Sequence, residues 1–237
     1  MSSNTEILNV SGLESGYGAA MVLKDLHLSL RPGEVFAILG KNGMGKTTLL
    51  KTLMGFIRPK KGKVSFFGEG TDSWTPDRIA RHQVAYIPQE QALFQDLTVR
   101  ENLGLALARD KDFEPRFQII ADYFPFLKQR MAQKAGTLSG GEQKMLLVAR
   151  ALICQPRIIL IDEITEGMQP SVIERLIGIL RGEREKFGTA MLMVEQNVHF
   201  ALAAADRYAV LDLGRIIEAG TTADVHAHAR ITSHLSV

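Results

Sequence analysis

The octapeptide "GKNGMGKT", Gly40 to Thr47, follows the apolar run "EVFAIL" and precedes the helix-forming run "TTLLKTLMGF". It matches G-x-x-x-x-G-K-[ST] in the strand–loop–helix setting that this pattern requires. Gly40, Gly43 and Gly45 lack Cβ atoms, so the backbone from Gly40 through Lys41, Asn42, Gly43, Met44 and Gly45 can wrap its N–H groups around phosphate oxygens. The helix N-terminus adds a partial positive charge. Lys46 is expected to reach the β- and γ-phosphates, the Thr47 hydroxyl to bind Mg²⁺, and Thr48 to offer one more donor. A strand as apolar as "VFAIL" is buried on both faces, which requires a parallel sheet with layers on either side.

A phosphate cradle of this kind needs a carboxylate partner for its metal, and "RIILIDE" supplies one. Apolar residues lead to Asp162 at the strand's C-terminal end, where ligands gather in open α/β sheets. Asp162 is expected to hold Mg²⁺, usually through a water. Glu163 leaves the strand on a different heading and is a candidate to polarise the water that attacks a γ-phosphate. Without the glycine loop, the same two acids would read as an ordinary solvated loop start.

Along the chain, "EILNVSGL" and "MVLKDLHLSL" alternate as strands, "RPG" marks a turn, and "KGKVSFFG" and "QVAYIPQ" read as further strands. From about residue 90 to 153 the spacing turns helical. "LTVRENLGLALAR" and "PRFQIIADYFPFL" read as helices, with Thr98 as N-cap and Glu101 three residues on. Strands and helices then alternate: "RIILIDE", "PSVIERLIGILRGERE", "TAMLMVE" and "NVHFALAAA". "RYAVLDLGRIIEAG" reads as a hairpin turning at Leu213-Gly214. Such alternation predicts a parallel sheet covered by helices.

At 237 residues and 46% hydrophobic, the chain can bury a substantial core. Lys plus Arg number 28 against 26 for Asp plus Glu, a balance that does not describe a general nucleic-acid binder. The opening "MSSNTEILNV" lacks a basic start followed by an apolar block, and no export signal is expected there. Apolar runs such as "MLLVA" fall far short of the roughly 18 residues a membrane span needs. A soluble protein of a reducing cytoplasm is therefore expected. The single cysteine, Cys154, excludes an internal disulfide and reads as a small core residue. His226, His228 and His234 lack adjacent Cys, Asp or Glu partners and read as a frayed or loosely docked terminus, not a metal site.

"LSGGEQKMLLVAR", Leu138 to Arg150, begins a second helix with adjacent glycines. Ser139 is an N-cap type whose hydroxyl can turn to a phosphate, with the Gly140 and Gly141 N–H groups open. From these residues alone, an ordinary capped helix start explains the stretch equally.

Taken in order, "GKNGMGKTT", "YIPQE", "LSGGEQ" and "IILIDE" resemble the ATP-binding-cassette family of nucleotide-binding domains, over essentially the whole chain. The resemblance implies a P-loop NTPase core with a mostly parallel sheet, an N-terminal antiparallel β subdomain and an inserted α-helical subdomain. It implies one cassette over 1–237, in which 1–89 and 154–237 form the core and 90–153 the helical subdomain. Cassettes of that family pair head to tail, and each "LSGGEQ" helix start caps the nucleotide on the other subunit's P-loop. Tyr17 in "SGYG" resembles the aromatic that stacks on adenine. Gln89 in "YIPQ" resembles the glutamine that contacts Mg²⁺ and the attacking water. "ALFQDLTVRENL" resembles the region that receives a short helix of a membrane subunit.

Three departures from the family pattern stand out: Ile164 replaces the usual Pro after the glutamate, Gln169 the usual Asp, and Gln196 in "MVEQN" the usual His near the γ-phosphate. A neutral amide donates a hydrogen bond but cannot become cationic. "EGMQPSVIE" and "MVEQN" resemble ATPase subunits of importers for branched-chain amino acids and for urea or short amides. "LLKTLMGFIRPKKGKV" and "EGMQP" lean toward the latter. The resemblance implies an ATP-hydrolysing motor, peripheral on the cytoplasmic face of a bacterial inner membrane. It would work with two permease subunits, a second cassette ATPase (related or identical) and, indirectly, a periplasmic binding protein. ATP and Mg²⁺ are the implied ligands and no nucleic acid is. The alternatives are a lipopolysaccharide-type export ATPase or a cassette ATPase outside transport.

Overall fold

The computed structural model describes residues 6–89 and 93–235. The first of the "ALFQDLTVRENL" residues, Ala92, lies outside them, as do the opening Met1 to Thr5 and the last two residues of the histidine-bearing terminus. The chain begins with β1 (Leu8–Tyr17) and β2 (Ala20–Leu30), then β3 (Val35–Leu39) and α1 (Lys46–Leu53). β4 (Lys61–Phe66), β5 (Glu69–Gly70), α2 (Pro76–Arg81) and β6 (Val84–Ile87) follow. Between β6 and β7 the described residues hold helices: α3 (Val99–Gly104), α4 (Phe113–Ile120), α5 (Pro125–Gln129) and α6 (Gly140–Leu152). β7 (Ile158–Asp162), α7 (Pro170–Phe187), β8 (Ala190–Glu195) and α8 (Val198–Ala204) resume the alternation. β9 (Arg207–Asp212), β10 (Arg215–Thr221) and α9 (Ala227–Leu235) complete it.

Two sheets result. An antiparallel sheet runs β2-β1-β4-β5, and a second runs β10-β9-β3-β8-β7-β6. In the latter every pairing is parallel except β9 with β10. Every residue of β3, β7 and β8 is buried, as their unbroken apolar sequences require. Alternate side chains enter two cores. Val35, Ala37, Leu39, Ile159 and Ile161 join the helical side, whereas Phe36, Ile38, Ile158 and Leu160 pack with α1 and the antiparallel sheet. The ends of β3, β8 and β7 stand side by side, with Leu39 opposite Glu195 and Val194 opposite Asp162.

Thr98 and Glu101 form the expected capping box, and Leu213 and Gly214 turn the β9–β10 hairpin with φ of 44° and 82°. Helix lengths depart from the sequence reading. α1 stops at Leu53, before Gly55 at φ 74°. α3 stops at Gly104, and tighter turns then bond Ala106 N to Leu103 O and Leu107 N to Gly104 O. The stretch read as one helix around "PRFQIIADYFPFL" is two, because Pro125 has no N–H to donate and the preceding Phe124 leaves the helical region (φ −129°, ψ 58°). The C-terminal segment, expected to be loose, is instead a docked helix. Ala227 and Ile231 are buried, and Arg230 pairs with Glu218 at 3.2 Å and Asp224 at 2.6 Å. No cluster of three metal-binding side chains exists among the described residues.

Asn102, fully buried on α3, organises the loop that precedes the helix. Its Oδ1 accepts from Phe94 N at 3.0 Å, and its Nδ2 donates to the carbonyls of Phe94 and Thr98, each at 3.0 Å. Removing the amide strands buried loop groups. Asn102→Leu is expected to lower unfolding free energy by about 2 kcal/mol, read as a drop in the urea midpoint at unchanged slope.

Candidate functional site: a phosphate cradle with paired carboxylates

The loop after β3 passes so close to β9 that a Cβ on Gly40 would lie 2.6 Å from Leu211 O. Gly45, the N-cap of α1, adopts φ 106°, a conformation closed to residues with side chains. These two glycines let the loop turn tightly from β3 into the N-terminus of α1, a place that favours an anion. Lys46, 3% exposed, donates from Nζ to Gly40 O and Lys41 O, both at 2.7 Å, and forms an ion pair with Glu163 Oε1 at 2.8 Å.

The carboxylates arrive from the neighbouring strand. Asp162 is fully buried, its Oδ1 accepting from Thr47 Oγ1 and its Oδ2 from Tyr86 OH, each at 3.0 Å. Burial holds its pKa above the usual carboxylate range, more than these two hydroxyls lower it. Burial and then the adjacent Asp162 charge raise the Tyr86 hydroxyl pKa as well. A buried acid and a hydroxyl side by side are oxygen donors of the kind a hard divalent cation takes, so Thr47 and Asp162 fit Mg²⁺.

Glu163 turns off the strand at φ 42°. Its Oε2 accepts from Gln89 Nε2 at 2.9 Å and from Gln196 Nε2 at 3.1 Å. Gln196 also donates to Asn42 Oδ1 at 2.7 Å, and Gln89 to Glu166 Oε2 at 2.8 Å. Two uncharged amides and one ammonium thus surround the carboxylate.

A cavity of about 320 Å³ is lined by Asn42, Gly43, Gly45, Lys46, Thr47, Thr48, Gln89 and Glu163. A neighbouring one of about 520 Å³ shares Thr47 and Gln89 with it and reaches Tyr17, which is 53% exposed. The structure therefore brings together Tyr17, the glycine loop, Gln89, Asp162, Glu163 and Gln196. It does not bring Ser139, Gly140 and Gly141 to them. Those residues line a separate cavity of about 490 Å³ with Gly167 and Gln169, sharing no residue with the other two. The Ser139 hydroxyl is engaged inside its own helix, donating to Glu142 Oε2 at 2.9 Å while Ser139 N donates to the same oxygen at 3.0 Å. The bond from the Ser139 backbone is the largest cause that lowers the Glu142 pKa.

Sequence reasoning missed Tyr86, Lys144, Thr165, Glu166 and Glu195. Tyr86 has a faint sequence signal, three residues before Gln89 in a short apolar strand. The other four have none, because their partners are tens of residues away.

Strand, glycine loop, helix and paired carboxylates define a P-loop nucleotide hydrolase. The family described as "ABC transporter" matches residues 23–166. The high-affinity branched-chain amino acid transport ATP-binding protein BraG of Pseudomonas aeruginosa is 35% identical, over 95% of this chain and 97% of its own. The probable branched-chain amino acid transport ATP-binding protein LivF of Archaeoglobus fulgidus is 33% identical, over 94% and 96%. A crystal structure of the ADP conformation of an ATP-binding cassette of an ABC transporter superposes with a TM-score of 0.84 at 25% identity, over 98% of this chain and 95% of that one. The chain belongs to the ABC transporter family and is an ATPase. No helix among the described residues is long and apolar enough to cross a membrane.

Glu195, 2% exposed beside this site, has its pKa pushed up to about 7, chiefly by burial. Between an ordinary glutamate's 4.5 and about 7 the native state holds a proton that the unfolded chain has released. Stability contributed here therefore falls as pH rises through that window. Wild-type urea midpoints are expected to decline from pH 5 to pH 7, and Glu195→Gln to flatten that decline.

Proposed function

We propose that this chain is the ATP-hydrolysing subunit of a membrane importer, working as one of two cassettes paired head to tail. ATP then lies between the Lys46 loop of one cassette and the Ser139–Gly141 edge of its mate. The observation that carries this reading is the separation of the two glycine-lined helix starts into cavities with no common residue. Within one chain the two edges face different cavities, which supports a use of the second edge toward another subunit.

Within the shared site, Tyr17 stacks on the adenine and the loop from Gly40 to Thr48 binds the phosphates. Thr47 and Asp162, with Gln89 beside them, hold Mg²⁺, which when bound offsets phosphate charge. Glu163 accepts the proton of the attacking water. Gln89 and Gln196 orient that carboxylate through the bonds they already make. Lys46 serves both Glu163 and the phosphates, so phosphate binding competes with the ion pair and loosens the carboxylate for its task.

The single cassette spans 1–237, with 90–153 as its helical part. The segment "ALFQDLTVRENL" would receive a short cytoplasmic helix of one permease subunit. Leu105 and Leu107, which follow it directly in the chain, line a groove of about 630 Å³ with Phe56, Arg116 and Arg150. The chain would thereby sit peripherally on the cytoplasmic face of the inner membrane. The two reported relatives act in branched-chain amino acid transport, which supports that solute class over urea or short amides. The pairing mate is a related second cassette or an identical copy, and a periplasmic binding protein delivers the solute.

Glu163→Gln is expected to lower ATP turnover by about 10² to 10⁴-fold and to trap an Mg-ATP-bound dimer in size-exclusion chromatography. A mutant that stays monomeric at saturating Mg-ATP would contradict the shared site. Gln196→Ala should reduce turnover only about 3- to 10-fold, about 0.7 to 1.4 kcal/mol, the net worth of one ordinary hydrogen bond. Wild-type turnover in that mutant would show the amide to be idle.

A further inference from the structure

We propose that Glu195 is a positioning residue for ATP hydrolysis: its buried carboxylate grips Thr165, and through that loop it holds Glu163 on aim. Glu195 is the last residue of β8. Its Oε2 accepts from Thr165 Oγ1 at 2.8 Å and its Oε1 from Thr165 N at 3.2 Å. Thr165, 5% exposed, is two residues beyond Glu163, so its N–H is a buried donor that the sheet ladder does not reach and the Glu195 carboxylate satisfies.

The same short loop is held from its other side. Lys144, one turn into α6, donates from Nζ to Ile164 O at 2.9 Å and to Glu166 O. The Glu166 side chain in turn accepts from Gln89. Residues 164–166 are therefore gripped by a carboxylate on the strand that leads to Gln196 and by an ammonium on the helix that begins at Ser139. Glu163, at φ 42° and leaving β7, has its direction set by where this loop goes next. Both grips fall on residues one to three positions after Glu163, where a clamp on its aim would have to act.

The inference rests on Glu163 being the hydrolytic carboxylate, so Glu163→Gln belongs in the same assay. The test is phosphate release by the full chain in Mg-ATP, with binding of a fluorescent ATP analogue measured in parallel. Thr165→Val and Glu195→Gln are each expected to lower kcat about 10-fold while KM and analogue affinity stay within about twofold. The double variant should be no slower than the slower single one, since both break the same contact. Thr165→Ser, which restores the hydroxyl, should recover wild-type kcat.

Wild-type kcat in Thr165→Val and Glu195→Gln would overturn the clamp, as would a loss that appears in KM alone or one that serine does not rescue. Glu163→Gln reports separately. If it turned over like wild type, the assignment of the carboxylate would fail whatever the clamp variants did. Should Glu195→Gln fold poorly, the Thr165 pair decides the question alone.

Discussion

Lys46 and Glu163 meet at 2.8 Å with side chains only 3% and 6% exposed, and the rest of the site is arranged around that buried pair. Removing one member of such a pair leaves an uncompensated charge, at a cost of about 3–5 kcal/mol. The pair exists because β3 and β7 flank β8 in parallel register and end at the same level. One strand then delivers the lysine through a glycine loop, and the other delivers two acids directly. Shifting β7 by one residue would turn Asp162 away from Thr47 and Tyr86 and unmake the cation site.

The second glycine-lined helix start obeys different physics. Its capping box closes Ser139 and Glu142 on each other, and Glu142 reaches Arg130 at 2.9 Å. The helix is thus stable in the single chain. A side chain on Gly141 would meet only Val172, at 3.6 Å, so this helix start is uncrowded, as the proposed pairing with a second cassette requires. The fold places the two glycine-lined helix starts in different cavities, and under the proposed pairing they serve different nucleotides.

Much of the architecture was legible because buried parallel strands are nearly continuous apolar runs. "VFAIL", "IILID" and "AMLMVE" have no competing reading as amphipathic elements. The helical region was less legible. Gly104 and Pro125 break helices whose apolar spacing alone continues through them, and the docking of α9 depends on Arg230 finding Tyr208, Glu218 and Asp224 in space. The phosphate loop and its acids were legible because their chemistry is contiguous in the chain. Tyr86, Lys144, Thr165 and Glu195 were not, since each acts on a group brought near only by sheet register or helix packing.

By itself the sequence determined the α/β class, the succession of most strands and helices along the chain and the groups proposed to meet phosphate. Glycine without a Cβ, lysine after it and acid at a strand end are local requirements that local residues satisfy. Only the tertiary structure decided that Glu163 pairs with Lys46, 117 positions away, and that Glu195 holds Thr165, 30 positions away, whereas Ser139 closes on Glu142 through a local S-x-x-E capping box. The long-range contacts form only after the sheet has set its register and driven water from between the strands.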